Sequence, residues 1–238
     1  MSLTNQDIIK KKIFSFVNNY IEMDIGGVIV HCPYWRNKLK EGKVVLRGYL
    51  NGKGSSIDIQ NKIIETLQNS HVDTTLISAD YIRKLAKRER IGIDCSGFVY
   101  RLLDELIHLS YNNCSLKNLD GVFVGGINKT NADMLTSTEF SNYIDNISDY
   151  RIGDMIRLMK GKHVAVILEV KDKEIVYVHS AIKTKIRGVH FGKIDILDKN
   201  GLLEQQNWLE ETETGEDFGR KYFCPEEKDG VYRLKIFA

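Results

Sequence analysis

Three residues in this chain have the types and spacing for covalent catalysis: Cys95, His163 and His179. Cys95 lies in Gly92-Ile93-Asp94-Cys95-Ser96-Gly97-Phe98-Val99, where an apolar helix is expected to begin. The unpaired N–H groups and positive dipole end of a first helical turn favour a thiolate over a thiol. The backbone N–H of Cys95 or Ser96 could donate to a developing oxyanion, with Asp94 beside them as the expected cap of the helix start. Gly97 should keep the turn clear of a side chain that would crowd a substrate. On local context alone, a buried structural cysteine is an equal reading.

A thiolate nucleophile needs a base, and the base needs an orienting group. His163 opens the run Val164-Ala165-Val166-Ile167-Leu168, and His179 closes Ile175-Val176-Tyr177-Val178. Lys171-Asp172-Lys173-Glu174 reads as the turn between two strands. In an antiparallel hairpin the start of the first strand lies beside the end of the second. The two histidines should therefore meet in space. Register adds a condition. They share a face only if the loop is odd in length, such as 171–173, because an even loop without a bulge turns one of them away. Either histidine alone is an ordinary strand residue, whereas the pair at matching hairpin ends favours function. Asp154 is expected to organise the turn before the His163 strand.

Other candidates carry less. Adjacent strand residues such as His31 and Cys32 point to opposite faces. Gly121 and Gly126 have phosphate-loop spacing, but Ile127 stands where the lysine should be. His71, His108 and His190 show no partner pattern and read as surface or structural residues. Cys114 and Cys224 fall in polar loops.

The elements that must position these residues follow from periodicity. Apolar spacing predicts helices over 5–22, over 57–69 behind a Ser55 or Ser56 cap, over 79–89 behind Ser78, and over 95–108. A short strand or buried turn is expected at 28–32 and a strand at 43–50. The stretch 111–150, rich in Asn, Asp, Ser, Thr and Gly, reads as loops around a short helix near 131–137. Strands are expected at 155–159, 164–170, 175–179, 186–196 and 231–237. Helices first and strands later predict an α+β fold with the N-terminal helices packed on an antiparallel sheet.

Composition narrows the function classes. Of 238 residues, 42% are hydrophobic, about 100 side chains and enough for one compact domain spanning 1–238. Lys plus Arg is 34 and Asp plus Glu is 32, for a formal charge of +2. That balance supports neither nucleic acid nor an anionic membrane as a partner. Four cysteines with no C-x-x-C pair exclude a disulfide scaffold and a zinc ribbon. No apolar run approaches the ~20 residues that cross a bilayer. The opening residues carry no leader, so a cytoplasmic address is expected, or a secreted one if a leader has been trimmed.

Asp94-Cys95-Ser96-Gly97-Phe98-Val99, Gly153-Asp154, His163-Val164-Ala165-Val166-Ile167-Leu168 and Val178-His179 follow one another as do the motifs of the NlpC-type cysteine peptidases. The chain resembles this papain-like family over about residues 90–180. The resemblance implies a papain-like fold with Cys95 as nucleophile, His163 as general base and His179 as the polar third member. It implies a bacterial cell-wall peptide as substrate, cut between D-γ-glutamate and a diamino acid, with no metal or cofactor. The family's tyrosine near the oxyanion has its nearest match in Pro33-Tyr34-Trp35, followed here by Arg36-Asn37 rather than paired glycines. Tyr34, Ser96 and Asp94 are thus the expected oxyanion and substrate-facing residues. About 60 residues separate Tyr34 from Cys95, so 38–90 reads as an insertion that could wall the substrate cleft. The same site would also serve acyl transfer or another amide, and the fold could carry a non-catalytic binding module.

Overall fold

The computed structural model describes residues 4–70, 77–110 and 118–238. His71 and Cys114 lie outside the described residues. Helix α1 (Asn5–Ile21) leads into a small hairpin, β1 (Met23–Ile25) and β2 (Val28–Val30). A second hairpin, β3 (Lys38–Lys40) and β4 (Lys43–Leu46), stands apart from the main sheet. The strand expected over 43–50 stops at Leu46. The chain then turns through Leu50 (φ 44°) and Asn51 (φ 61°), which leave the extended region.

Helix α2 (Ser56–Asn69) starts where its capping box dictates. The Ser55 hydroxyl accepts from the Asp58 N–H at 3.1 Å, and Asp58 accepts from the Ser55 N–H at 3.0 Å. Helix α3 (Ala79–Arg88) begins at its Ser78 cap. Helix α4 (Cys95–Ser110) carries the candidate nucleophile on its first residue. Ile59, Ile63, Ile82 and Leu85 from α2 and α3 enter the same core as Phe98, Leu102 and Leu106 of α4.

Beyond α4 the chain forms short turns, helix α5 (Ala132–Leu135) and the strand β5 (Ser141–Ile144). The sheet then builds through β6 (Met155–Leu158), β7 (His163–Val170), β8 (Glu174–Ala181), β9 (Gly188–Asp195), β10 (Asn207–Trp208), helix α6 (Phe218–Tyr222) and β11 (Gly230–Leu234). These seven strands make one antiparallel sheet in the order β10-β9-β8-β7-β6-β11-β5. The fold is therefore α+β with an antiparallel sheet.

Both faces of the sheet are buried. Val164, Val166 and Val178 face the helices, while Ala165, Ile167 and Tyr177 face α6 and Trp208 of β10. Burial on both sides explains the near-continuous apolar runs of β7 and β8. No helix among the described residues is long and apolar enough to cross a membrane.

Candidate active site

The β7–β8 hairpin brings its two histidines together by a route the loop length alone does not reveal. Val170 pairs with Ile175 and the Lys171 N–H donates to the Glu174 carbonyl at 2.8 Å, so pairing runs on to an even two-residue turn, Asp172-Lys173, and not to the odd loop expected. By itself this would put His163 and His179 on opposite faces. The pairing then shifts by one, from Glu169↔Val176 to Ile167↔Tyr177, which makes Leu168 an extra residue on β7. That bulge restores the shared face. His163 Nε2 lies 2.8 Å from His179 Nδ1.

His179 is held in turn by His190, expected as a surface or structural residue, and by Glu210, which has no local signal in the sequence. Its Nε2 is 3.0 Å from Glu210 Oε1 and 3.1 Å from His190 Nε2. His190 Nε2 reaches Glu210 Oε1 at 2.6 Å, and its Nδ1 meets the Gly188 carbonyl at 3.0 Å. The Tyr177 hydroxyl donates to Glu210 Oε2. His190 is thus not a surface histidine. It lies directly opposite His179 in the β8–β9 ladder and is 3% exposed. Phe218 covers the cluster edge-on, 6.2 Å from the His163 ring and 5.6 Å from that of His179.

Cys95 stands at its own helix start, against the strand that His163 opens. The Asp94 carboxylate accepts from the Gly97 N–H at 2.7 Å and from the Ser96 hydroxyl at 3.0 Å, so Asp94 caps α4 as expected. The segment before it is fixed from three sides. The Asp94 N–H donates to the Gly52 carbonyl at 2.9 Å, and the Ile93 N–H to the Pro33 carbonyl at 2.9 Å. The Ile93 carbonyl accepts from the Ser180 hydroxyl at 2.7 Å, one residue beyond His179. The Cys95 sulfur then meets the backbone N–H of Ser96 and that of Val164, the peptide unit following His163.

Tyr34, remote in sequence, is near in space. It bridges to Ile93 in parallel fashion, and its phenol feels the charges of Cys95 and Asp94. Only glycine at position 92 permits this approach, because a Cβ there would stand 2.3 Å from the Pro33 carbonyl oxygen. Burial, then the Cys95 and Asp94 charges, push the Tyr34 phenol up, so it stays a donor. Among the described residues its hydroxyl has no hydrogen-bond partner. Tyr34 therefore stands beside the Cys95 turn, while the Ser96 hydroxyl is taken up within that turn by Asp94. His31 and Cys32 diverge: His31 Nδ1 meets the Val189 carbonyl at 2.9 Å, and the Cys32 thiol is buried.

A third unanticipated residue, Lys53, underpins the nucleophile turn. Its side chain is 8% exposed, and its ammonium donates to Asp94 at 2.8 Å, to Ser96 Oγ at 2.6 Å and to the Thr130 carbonyl at 3.3 Å. Residues 38–90 thus supply a cation beneath the helix start as well as part of the core. Gly97 has a different reason from the one expected. A Cβ there would lie 2.6 Å from Lys53 Cδ and 3.0 Å from the Gly52 carbonyl oxygen. It makes room for Lys53, not for substrate. Gly97→Ala is accordingly expected to cost about 1–3 kcal/mol of stability by overpacking, read as a lower urea midpoint at unchanged m-value.

The electrostatics are those of a nearly closed site. Burial and the neighbouring Asp94 charge push the Cys95 thiol up to about 11, against Lys53 and the two backbone N–H groups. The helix start does not hold a resting thiolate here. Burial, reinforced by His179, pushes His163 well below its ordinary range, and burial likewise lowers His179. Burial would raise Glu210, yet His179 and His190 outweigh it and keep the carboxyl ionised far into acid. The sulfur and base are therefore both neutral at rest. Cys95 and His163 are 7% and 5% exposed. A surface hollow runs elsewhere, along the polar side of α1 beside Glu169. Comparison with family models, curated proteins and solved structures finds no match to this chain.

Proposed function

We propose that this chain is a papain-like cysteine peptidase that hydrolyses bacterial cell-wall peptides at a D-γ-glutamyl–diamino acid bond. The observation that carries the reading is the Cys95 sulfur on the first turn of α4, against the peptide unit that follows His163, with His163 bonded to His179 at 2.8 Å. The motif order that resembles NlpC-type peptidases supplies the substrate class.

In this reading the reaction begins from neutral partners. Nε2 of His163 is taken up by His179, so Nδ1 removes the Cys95 proton as the sulfur attacks the amide carbonyl. The oxyanion is met by backbone N–H groups of the Cys95 turn and by the Tyr34 hydroxyl. His163 now carries a charge in a buried place. The His179 Nδ1 lone pair accepts from its Nε2–H, and the Glu210 carboxylate beyond His179 stabilises the charge. His163 returns the proton to the leaving amine. Water, activated by the same nitrogen, then hydrolyses the thioester and frees Cys95.

Mass spectrometry of a panel of short wall peptides tests the proposal. The expected products are a fragment ending in D-glutamate with a free γ-carboxyl and a fragment beginning at the diamino acid. A panel in which no member is cut there would overturn the substrate assignment.

A further inference from the structure

We propose that His179, His190 and Glu210 form a binding site for one divalent transition-metal ion of the Zn2+ class. His179 Nε2, His190 Nε2 and Glu210 Oε1 point at one another, with separations of 3.1, 3.0 and 2.6 Å. All three residues are buried or nearly so, and their donor atoms lie within 4.8 Å of one another. A tetrahedral Zn2+ with ligand bonds of 2.0–2.1 Å would hold its donors about 3.3 Å apart, so the two pairs that include His179 need open by a few tenths of an ångström and the His190–Glu210 pair by about 0.7 Å.

The outer atoms of the same residues are each already fixed. His190 Nδ1 meets the Gly188 carbonyl, Glu210 Oε2 accepts from the Tyr177 hydroxyl, and His179 Nδ1 meets His163. Such partners orient metal ligands and settle their tautomers. Hydrogen counting makes the case sharper. A carbonyl only accepts, so His190 Nδ1 carries a hydrogen. Nε2 of a neutral His190 is then a bare lone pair aimed at a carboxylate oxygen 2.6 Å away. A proton shared between the two groups or a metal ion must lie between them. Two imidazoles and a carboxylate, with no sulfur, suit Zn2+, Co2+ or Ni2+ rather than Cu+ or Ca2+.

The consequence for catalysis rests on the hydrolase reading. A metal on His179 Nε2 leaves the one ring hydrogen of His179 at Nδ1. His163 must then accept at Nε2 and keep its own hydrogen at Nδ1, the nitrogen that has to receive the thiol proton. The loaded site would switch the hydrolase off.

The experiment separates the metal site from the hydrolase. Cys95→Ala protein, which lacks the nucleophile whatever it does, is freed of metal and titrated with Zn2+ by calorimetry and with Co2+ by visible absorption. One equivalent of each is expected to bind, with a tetrahedral Co2+ spectrum free of sulfur charge-transfer bands and a rise in Tm. Glu210→Gln and His190→Gln in the same background are each expected to weaken Zn2+ binding by more than about 100-fold, beyond the usual effect of an outer-shell partner. Absence of binding, affinity unmoved by either substitution, or a sulfur-to-cobalt band from any of the three remaining cysteines would overturn the proposal. If a double variant fails to fold, the cobalt spectrum of the folded Cys95→Ala protein decides alone.

Discussion

Cys95→Ala is expected to lower hydrolysis of a D-γ-glutamyl–diamino acid peptide by roughly 10⁴- to 10⁶-fold, the loss that follows removal of a nucleophile acting as a unit with its base. The fold should survive. The side chain loses one atom at a helix start whose cap, Asp94, and anchoring bonds from Gly52, Pro33 and Ser180 do not involve the sulfur. A stability change of about 1 kcal/mol or less is expected, small on the scale of single substitutions. His163→Ala should show the other half of the pairing, with a 10²- to 10⁴-fold loss typical of general acid–base catalysis, since the thiol at about 11 yields almost no thiolate unaided. In that variant the residual rate should climb as pH rises, because hydroxide must do what His163 no longer does. Both are read from initial rates by mass spectrometry, with a thermal melt as control. Turnover by Cys95→Ala equal to wild type would end the mechanism.

The parts of the site legible in the sequence are those carried by local rules. A polar residue before an apolar helical run marks a cap, and Asp94 is one. Histidines at matched ends of two apolar runs mark a hairpin pair, and His163 and His179 meet. Loop parity alone does not decide which faces two strands share. An even loop corrected by a bulge at Leu168 gives the same faces as an odd loop, and the bulge has no signature in Val166-Ile167-Leu168-Glu169. His190 was within reach of the same reasoning. Extending the ladder from β8 to β9 places it opposite His179, but that requires the length of the second loop as well.

Lys53 and Glu210 were not legible by any local rule. Each is a charged residue in a polar stretch, and each becomes buried only because distant segments close over it. Glu210 lies 20 residues after His190 in an irregular segment, and Lys53 reaches a helix that begins 42 residues later. A sequence pattern reports what a residue's neighbours in the chain need, whereas the burial of these two is decided by tertiary closure. Their charges still leave a physical trace, since an almost fully buried ion requires a partner, and the partners of both belong to the candidate site. β5 escaped for a different reason. Ser-Asn-Tyr-Ile at the sheet edge has two exposed positions and only four residues, too few for period-two alternation to stand out from loop composition.

Glu210→Gln is expected to cost about 3–5 kcal/mol at pH 7, the usual result of removing one partner from a buried charged network. The loss should be read with chelator present, by urea unfolding. The wild-type protein should also lose stability steadily with acid, and the order of the losses identifies the groups. Burial holds His163 and His179 below their ordinary value of 6.5, so the unfolded chain takes up protons first as pH falls past 6.5. More protons bound by the unfolded state means stability that decreases with falling pH. Glu210 adds a second phase. Its carboxyl is held below the ordinary 4.5 by His179 and His190 against the cost of burial, so its contribution is complete above 4.5 and drains away below it. Glu210→Gln cannot titrate, and its stability should flatten below pH 4.5 relative to wild type while keeping a slope from the histidines nearer pH 6. A wild-type urea midpoint that stays level from pH 7 to pH 5 would show that His163 and His179 are not held below their ordinary range, and a wild-type profile that parallels Glu210→Gln below pH 4.5 would remove the charge stabilisation assigned to Glu210 in the reaction.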